Sequence, residues 1–206
     1  MALVITIGRQ YGSGGKDIGM SIAKTLDIPF YDKEIVEMAA QKGNMSKDTA
    51  KTVDEKATNS FLYSLISGGY SSSGTSLYYE MPINDKLFIA QSEVIKELAR
   101  KGSCVIVGRC ADYVLRDEKN IELCSAFIYG GLDYRIGRVM ERYPELTHAK
   151  AKDKVTKTDK QRRTYYDYYT DGNWGVMSNY DVCINTESFG IENSAQMLAS
   201  YLKNKK

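Results

Sequence analysis

A continuous apolar, β-branched run at residues 3–7 passes directly into a glycine-rich turn at residues 8–15, which ends in Lys16. No other feature limits the folds open to this chain as strongly. An unbroken apolar run reads as a strand buried on both faces, the environment of a parallel sheet. The segment after the turn carries Ile18, Ile22 and Leu26 on one helical face. Gly12, Ser13, Gly14, Gly15 and Lys16 therefore lie between a strand and a helix N-terminus. The glycines let backbone N–H groups turn toward one point. The helix end adds a partial positive charge and Lys16 a full one, which together make a cradle for phosphate.

The rest of the chain repeats this alternation. Strands are predicted at residues 28–31, 104–107, 126–129 and 181–184, and helices at 33–41, 87–99, 132–142 and 191–202. A long charged helical stretch, with a break left open, is predicted at 147–169. Five buried strands alternating with helices imply a parallel sheet covered on both faces, an α/β fold. Residues 43–85 differ: spacing at 46–66 is helical, and 68–76 is a Gly/Ser tract that holds regular structure poorly. The insertion reads as a mobile cover or an oligomer contact; its apolar residues Phe61, Leu62, Tyr63, Leu65, Ile66, Tyr78 and Tyr79 suit a dimer contact or a segment folded back onto its own sheet equally.

Composition narrows the function. With 206 residues, one sizeable core is expected. A net charge of +2 is less than duplex nucleic-acid binding usually shows. No apolar run is long enough for a transmembrane helix, and the N-terminal octet does not read as a signal peptide. Cys104, Cys110, Cys124 and Cys183 form no C-x-x-C pair and His148 is the single histidine, so no structural metal is expected. Three of the cysteines sit in apolar runs and read as buried thiols of a cytoplasmic protein. Ser-His-Asp and Cys-His chemistry is disfavoured by the place of His148 in a Lys-rich helical stretch.

The loop fits the pattern G-x-x-x-x-G-K-[ST] in part. Gly15 and Lys16 supply its G-K, Gln10 stands where the first glycine would be, and Asp17 stands where a Ser/Thr would ligate Mg²⁺. Asp17 could hold the metal through water or cap the helix. Asp32, after the second strand, could take a ribose hydroxyl or cap the next helix. Arg109 ends a buried strand, where a charge is costly unless it is paired or bound to a ligand. Arg135, Arg138 and Arg142 read as a solvated helix face, and Tyr165, Tyr166, Tyr168 and Tyr169 as packing.

Three stretches together, ITIGRQYGSGGKDIG at 5–19, IPFYDKEI at 28–35 and VIVGR at 105–109, resemble the cytidylate kinase-like family, a bacterial branch of the P-loop nucleoside monophosphate kinases. The resemblance runs through residues 185–186 and implies a three-layer P-loop NTPase-type domain, with the insertion at about 43–85 and a lid-like region at about 143–170. It implies ATP as phosphoryl donor with Mg²⁺, bound at Gly12, Ser13, Gly14, Gly15, Lys16 and Asp17. It places Asp32, Arg109, Asp159 and Arg162 at the acceptor, Asp159 and Arg162 forming a D-x-x-R after the lid. Lys16, Arg109, Arg162 and Arg163 are then the cations around the moving phosphoryl group. Lys150, Lys152, Lys154 and Lys157 stand where cytidylate kinases favour arginines, and Cys110 where they place Asp.

The expected activity is ATP-dependent transfer to a pyrimidine nucleoside monophosphate, CMP or dCMP. The partners would be small-molecule nucleotides, without nucleic acid or membrane, and a homodimer contact is left open. The alternatives are a nucleotide-sensing module of the same fold and a kinase for a non-nucleotide acceptor. An NAD-binding Rossmann domain is disfavoured, since Lys16 stands where that fingerprint needs a small residue.

Overall fold

The computed structural model describes residues 1–56 and 81–204. Most of the 43–85 insertion, including its Gly/Ser tract and all of its aromatic residues, lies outside the described residues, and the cover and dimer-contact readings lie there with it.

Five strands form one sheet: β1 (Ala2–Arg9), β2 (Phe30–Tyr31), β3 (Cys104–Val107), β4 (Ile121–Tyr129) and β5 (Val182–Asn185). Their order is β2-β3-β1-β4-β5, and every pairing is parallel. The apolar run that dominates the sequence is thus the central strand, flanked on both sides. The α/β layer architecture expected from the strand–helix alternation is the one found.

Side-chain alternation along the central strands divides the core into two layers. Val4, Cys104 and Ile106 point to one face, against α2 (Glu34–Lys42) and α4 (Ile83–Lys101), with α3 (Lys47–Val53) and α5 (Ala111–Leu115) beside them. Ile5, Ile7, Val105 and Val107 point to the other, against Ile18 and Ile22 of α1 (Gly15–Leu26). Ala195, Leu198 and Leu202 of the C-terminal helix, α9 (Ile191–Asn204), complete that layer. A short helix, α8 (Thr186–Phe189), links β5 to α9.

Two further helices build one wall of the site. In α6 (Leu132–Arg142), Ile136 and Val139 pack on Ala151 and Val155 of α7 (His148–Tyr169). The capping residue before α6 is Gly131, the second of two glycines that precede the helix, and it makes no side-chain cap. At its far end α7 carries Tyr165 and Tyr166 into an aromatic cluster with Phe127, Trp174 and Tyr180. The helix is continuous over 22 residues, so the break left open in the sequence does not occur. Its two ends are anchored in different clusters, and its middle turn crosses the glycine loop.

Cys104, Cys110 and Cys124 are buried free thiols and Cys183 is half-buried. No helix among the described residues is long and apolar enough to cross a membrane.

The loop between β1 and α1 depends on Gly12. Its φ is +82°, and a Cβ there would lie 2.7 Å from the Arg135 carbonyl oxygen. A Gly12→Ala variant is expected to lose about 2–3 kcal/mol of unfolding free energy. Urea titration checks this; an unchanged midpoint would contradict it.

Candidate active site

The carboxyl ends of β1, β2 and β3 open into a cleft of about 490 Å³, within the roughly 300–1,000 Å³ of small-molecule sites. Gly12, Gly14, Gly15, Lys16 and Asp17 form its floor. Gly14 precedes α1 in a left-handed conformation, and no side chain caps the helix. The N-terminal end of α1 thus carries the partial positive charge of a helix start that no side chain caps. Lys16 is about half exposed, with a side-chain exposure of 46%, and its Nζ lies 3.0 Å from Asp32 Oδ2.

The loop is held from below. Ser13 is fully buried and does not face the cleft: its Oγ donates to the carbonyls of Gln10 and Ile128 at 2.9 and 3.0 Å. Thr186 Oγ1 donates to the Ser13 carbonyl at 2.8 Å. Gln10, the departure from the usual glycine, accepts the Gly130 N–H on its Oε1 at 3.1 Å and so ties the loop to the end of β4. Asp159 accepts the Tyr11 N–H at 2.7 Å and Arg135 Nη1 at 2.6 Å. Arg135 also donates to the carbonyls of Gly130 and Tyr11. It is 6% exposed, so the expectation of a solvated arginine is corrected for this residue. Its partner lies 24 positions away, beyond the reach of local spacing. Asp159 thus braces the glycine loop rather than lining the cleft.

Arg109 is held at the centre of the site by an unusual backbone. Gly108, Arg109 and Cys110 all have left-handed φ, at +77°, +55° and +53°. For the two residues with side chains this costs about 1–2 kcal/mol each. At Gly108 a Cβ would lie only 2.1 Å from Arg9 Nη1. The Arg109 guanidinium is buried and bridges Asp32 Oδ1 at 3.3 Å and Asp54 Oδ2 at 2.8 Å, and it also donates to the Val107 carbonyl. Asp32 joins Arg109 to Lys16 and does not cap α2.

Beside this lies a second ion cluster. Glu55 accepts Arg9 Nη2 at 2.9 Å on one carboxylate oxygen and Arg162 Nε at 3.2 Å on the other. Arg162 also donates to the Arg9 carbonyl at 3.1 Å. Burial alone would raise the Glu55 pKa, but Arg9, Arg162 and Arg109 outweigh it and hold the carboxyl well below its ordinary range. Asp32 is treated likewise: burial raises it, while Arg109 and Lys16 bring it below its usual value. Burial would lower the Arg109 pKa, but Asp54, Glu55 and Asp32 keep it above the usual arginine value. Burial and the Tyr143 hydroxyl push Tyr11, at the cleft edge, up to about 12, so it stays neutral.

Lys16, Asp17, Asp32, Arg109 and Arg162 therefore meet in one cleft. Arg163, one residue from Arg162, does not reach it: it is exposed, with its guanidinium 5.9 Å from the Trp174 ring centre. Successive helical residues are about 100° apart, so only one of the two can face the loop. Tyr165 and Tyr169 pack around Phe88, as their spacing suggests. Arg9, Asp54, Glu55, Arg138 and Arg142 also line the cleft and were not singled out for it in the sequence. Arg138 and Arg142 turn onto Asp17 at 3.1 and 3.3 Å, a partner on another helix. Arg9 stood inside the glycine motif, but Asp54 and Glu55 carried no local signal.

Among the described residues no group of three or more His, Cys, Asp or Glu is placed to hold a metal. A magnesium ion that arrives with phosphates needs less, since phosphates and water supply most of its ligands. Asp17, one-third exposed and next to Lys16, is the acid of the loop placed for that lesser role, and it would have to give up its pairing with Arg138 and Arg142 to take it.

The family model described as cytidylate kinase-like family matches residues 4–188. A crystal structure of an uncharacterized protein from Eubacterium ventriosum superposes with a TM-score of 0.70 at 28% identity, over 98% of this chain and 99% of that one. A shikimate kinase from Bacteroides thetaiotaomicron gives a TM-score of 0.55 at 14% identity, over 98% and 99% of the two chains. A gluconokinase from Sinorhizobium meliloti gives 0.51 at 13%, over 98% and 95%. The latter two are likenesses of fold. No curated protein gives a significant match.

A carboxylate with a depressed pKa contributes stability that is complete above its unfolded value. That contribution is lost as the pH falls toward its folded value. For Glu55 and Asp32 the ordinary values are 4.5 and 3.8. Unfolding free energy is therefore expected to decline as the pH is lowered through and below these values. Glu55→Gln should be less stable at neutral pH and show a shallower acid decline. Denaturant titrations from about pH 3 to 7 test this; an equally steep decline in the variant would contradict it.

Proposed function

The chain belongs to the cytidylate kinase-like family, and from that premise we propose that it transfers the γ-phosphoryl group of ATP to a small phosphate-bearing acceptor, CMP or dCMP being the first candidates. The observation that carries this reading is the convergence of Lys16, Arg109 and Arg162 on one cleft at the carboxyl edge of the sheet. Phosphoryl transfer asks for little covalent chemistry from the protein. It needs the two phosphates held in line and the spreading negative charge neutralised.

Each element has a part in this. The uncapped end of α1 and Lys16 would hold the donor's β- and γ-phosphates. Bound Mg²⁺ would supply further neutralisation at those oxygens, with Asp17 as the residue on this chain to meet it. Arg109 and Arg162 would face the acceptor phosphate, α7 forming the lid-side wall. A phosphate acceptor is already ionised, so no histidine base is required. A closed, arginine-lined cleft would also keep water from the γ-phosphate.

A second reading, an acceptor that is not a nucleotide, has one observation in its favour. Asp159, which family likeness assigns to the acceptor's sugar, is committed to Arg135 and the Tyr11 N–H.

ADP release from ATP and Mg²⁺ with a panel of nucleoside monophosphates tests the proposal, with shikimate and gluconate as non-nucleotide controls. Product with CMP or dCMP is expected, with turnover lowered about 10²-fold or more in Lys16→Ala. Turnover confined to a control would favour the second reading. Silence across the panel would contradict both.

A further inference from the structure

The anion-binding side of the cleft already contains an anion. Glu55 places one carboxylate oxygen on Arg9 and the other on Arg162, as two oxygens of a bound phosphate would be placed. Beside it Asp54 occupies Arg109. Three arginines, Arg9, Arg109 and Arg162, thus face three carboxylates, Asp32, Asp54 and Glu55. An incoming phosphate dianion finds no surplus positive charge among these six unless a carboxylate leaves. The arrangement also leaves a donor unused: Arg109 Nε is buried without a hydrogen-bond partner among the described residues.

The three carboxylates are not equally fixed. Asp32 follows directly on β2 and is bridged by Arg109 and Lys16. Asp54 is held on its second oxygen by Gln91, which in turn accepts the Tyr165 hydroxyl. Glu55 lies beyond the end of α3 with a left-handed φ of +54°. Its side-chain partners among the described residues are the two arginines themselves. Its carbonyl is held by an exposed side chain, Gln161 Nε2 at 3.2 Å. Glu55 is therefore the group whose anchors are the same charges that an acceptor phosphate would take.

Resting on the kinase reading above, we propose that Glu55 is a specificity-determining resident anion. Its carboxylate fills the position between Arg9 and Arg162 and is displaced by the acceptor's phosphate. Acceptors without a dianionic group cannot make that exchange and are disfavoured. The carboxylate keeps the arginines paired and aligned until the exchange occurs.

Inorganic phosphate is the probe, titrated by calorimetry into the full chain and into Glu55→Gln, which keeps shape and removes charge. Both are also measured with Lys16→Ala, so that phosphate held by the glycine loop is separated from phosphate held by the arginines. Glu55→Gln is expected to bind phosphate about tenfold or more tightly. The gain should persist with Lys16→Ala and be lost with Arg162→Gln. Unchanged or weaker binding in Glu55→Gln would overturn the inference. Should that variant fail to fold, hydrogen exchange in the wild-type chain carries the test. Saturating phosphate should speed exchange in residues 47–56, and unchanged exchange would overturn the inference. Absence of transfer from ATP with the Glu55 effect intact counts against the kinase reading alone. Turnover without a Glu55 effect counts against this inference alone.

Discussion

A guanidinium removed from water must be neutralised where it stands, and the buried Arg109 imposes that demand on the whole site. Asp32 meets it from the end of β2 and Asp54 from beyond α3, while the left-handed turn after β3 fixes the arginine between them. Through Asp32 the same pairing reaches Lys16 on the glycine loop. One buried charge thus links the loop, the second and third strands and the segment after α3. Removing either acidic partner would leave an uncompensated charge in the core of the cleft, which is why such pairs are costly to break even when they add little net stability.

The second constraint is the support of the glycine loop. A loop of small residues has little packing of its own, and its shape is imposed by its own Ser13 and Gln10 and by Thr186, Arg135 and Asp159 from three other elements. These contacts fix the course of the loop backbone through the protein's own side chains. Preorganisation of this kind lets a site neutralise charge without reorganising when the reaction occurs. The strain in the turn after β3 belongs to the same design, since it buries an arginine where a strand end would normally turn to water.

Much of the framework was legible because it depends on local pattern. The strand at 104–107 and the helix at 132–142 match β3 and α6. The strand read at 126–129 is only the last part of β4, because Glu122 and Ser125 interrupt the apolar run. Ser125 is accommodated in the sheet by Asp181, a partner 56 residues away. The short helices α5 and α8 have too few turns to show a period, while α3 falls within the helical spacing read at 46–66. In the site, Lys16, Asp32 and Arg109 were legible from the glycine motif and from charges at strand ends, and Arg162 through the family resemblance alone. Arg135 and Arg138 were not, because what removes them from a solvated face is an acid on another helix, whereas Arg142 stays exposed as read and only its tip reaches Asp17. Asp54 and Glu55 were hidden for the same reason, lying in a stretch whose spacing reads only as helix.

In the cleft Lys16 and Arg109 are held by Asp32, and Arg9 and Arg162 by Glu55, and on the proposed reading phosphate takes the place of these carboxylates. A crystal structure with Mg²⁺ and a non-hydrolysable ATP analogue tests that account most directly. The account predicts the triphosphate over Gly12–Lys16, with Lys16 Nζ moved from its 3.0 Å contact with Asp32 onto phosphate oxygens. A nucleotide bound elsewhere, with the Lys16–Asp32 pair intact, would contradict it.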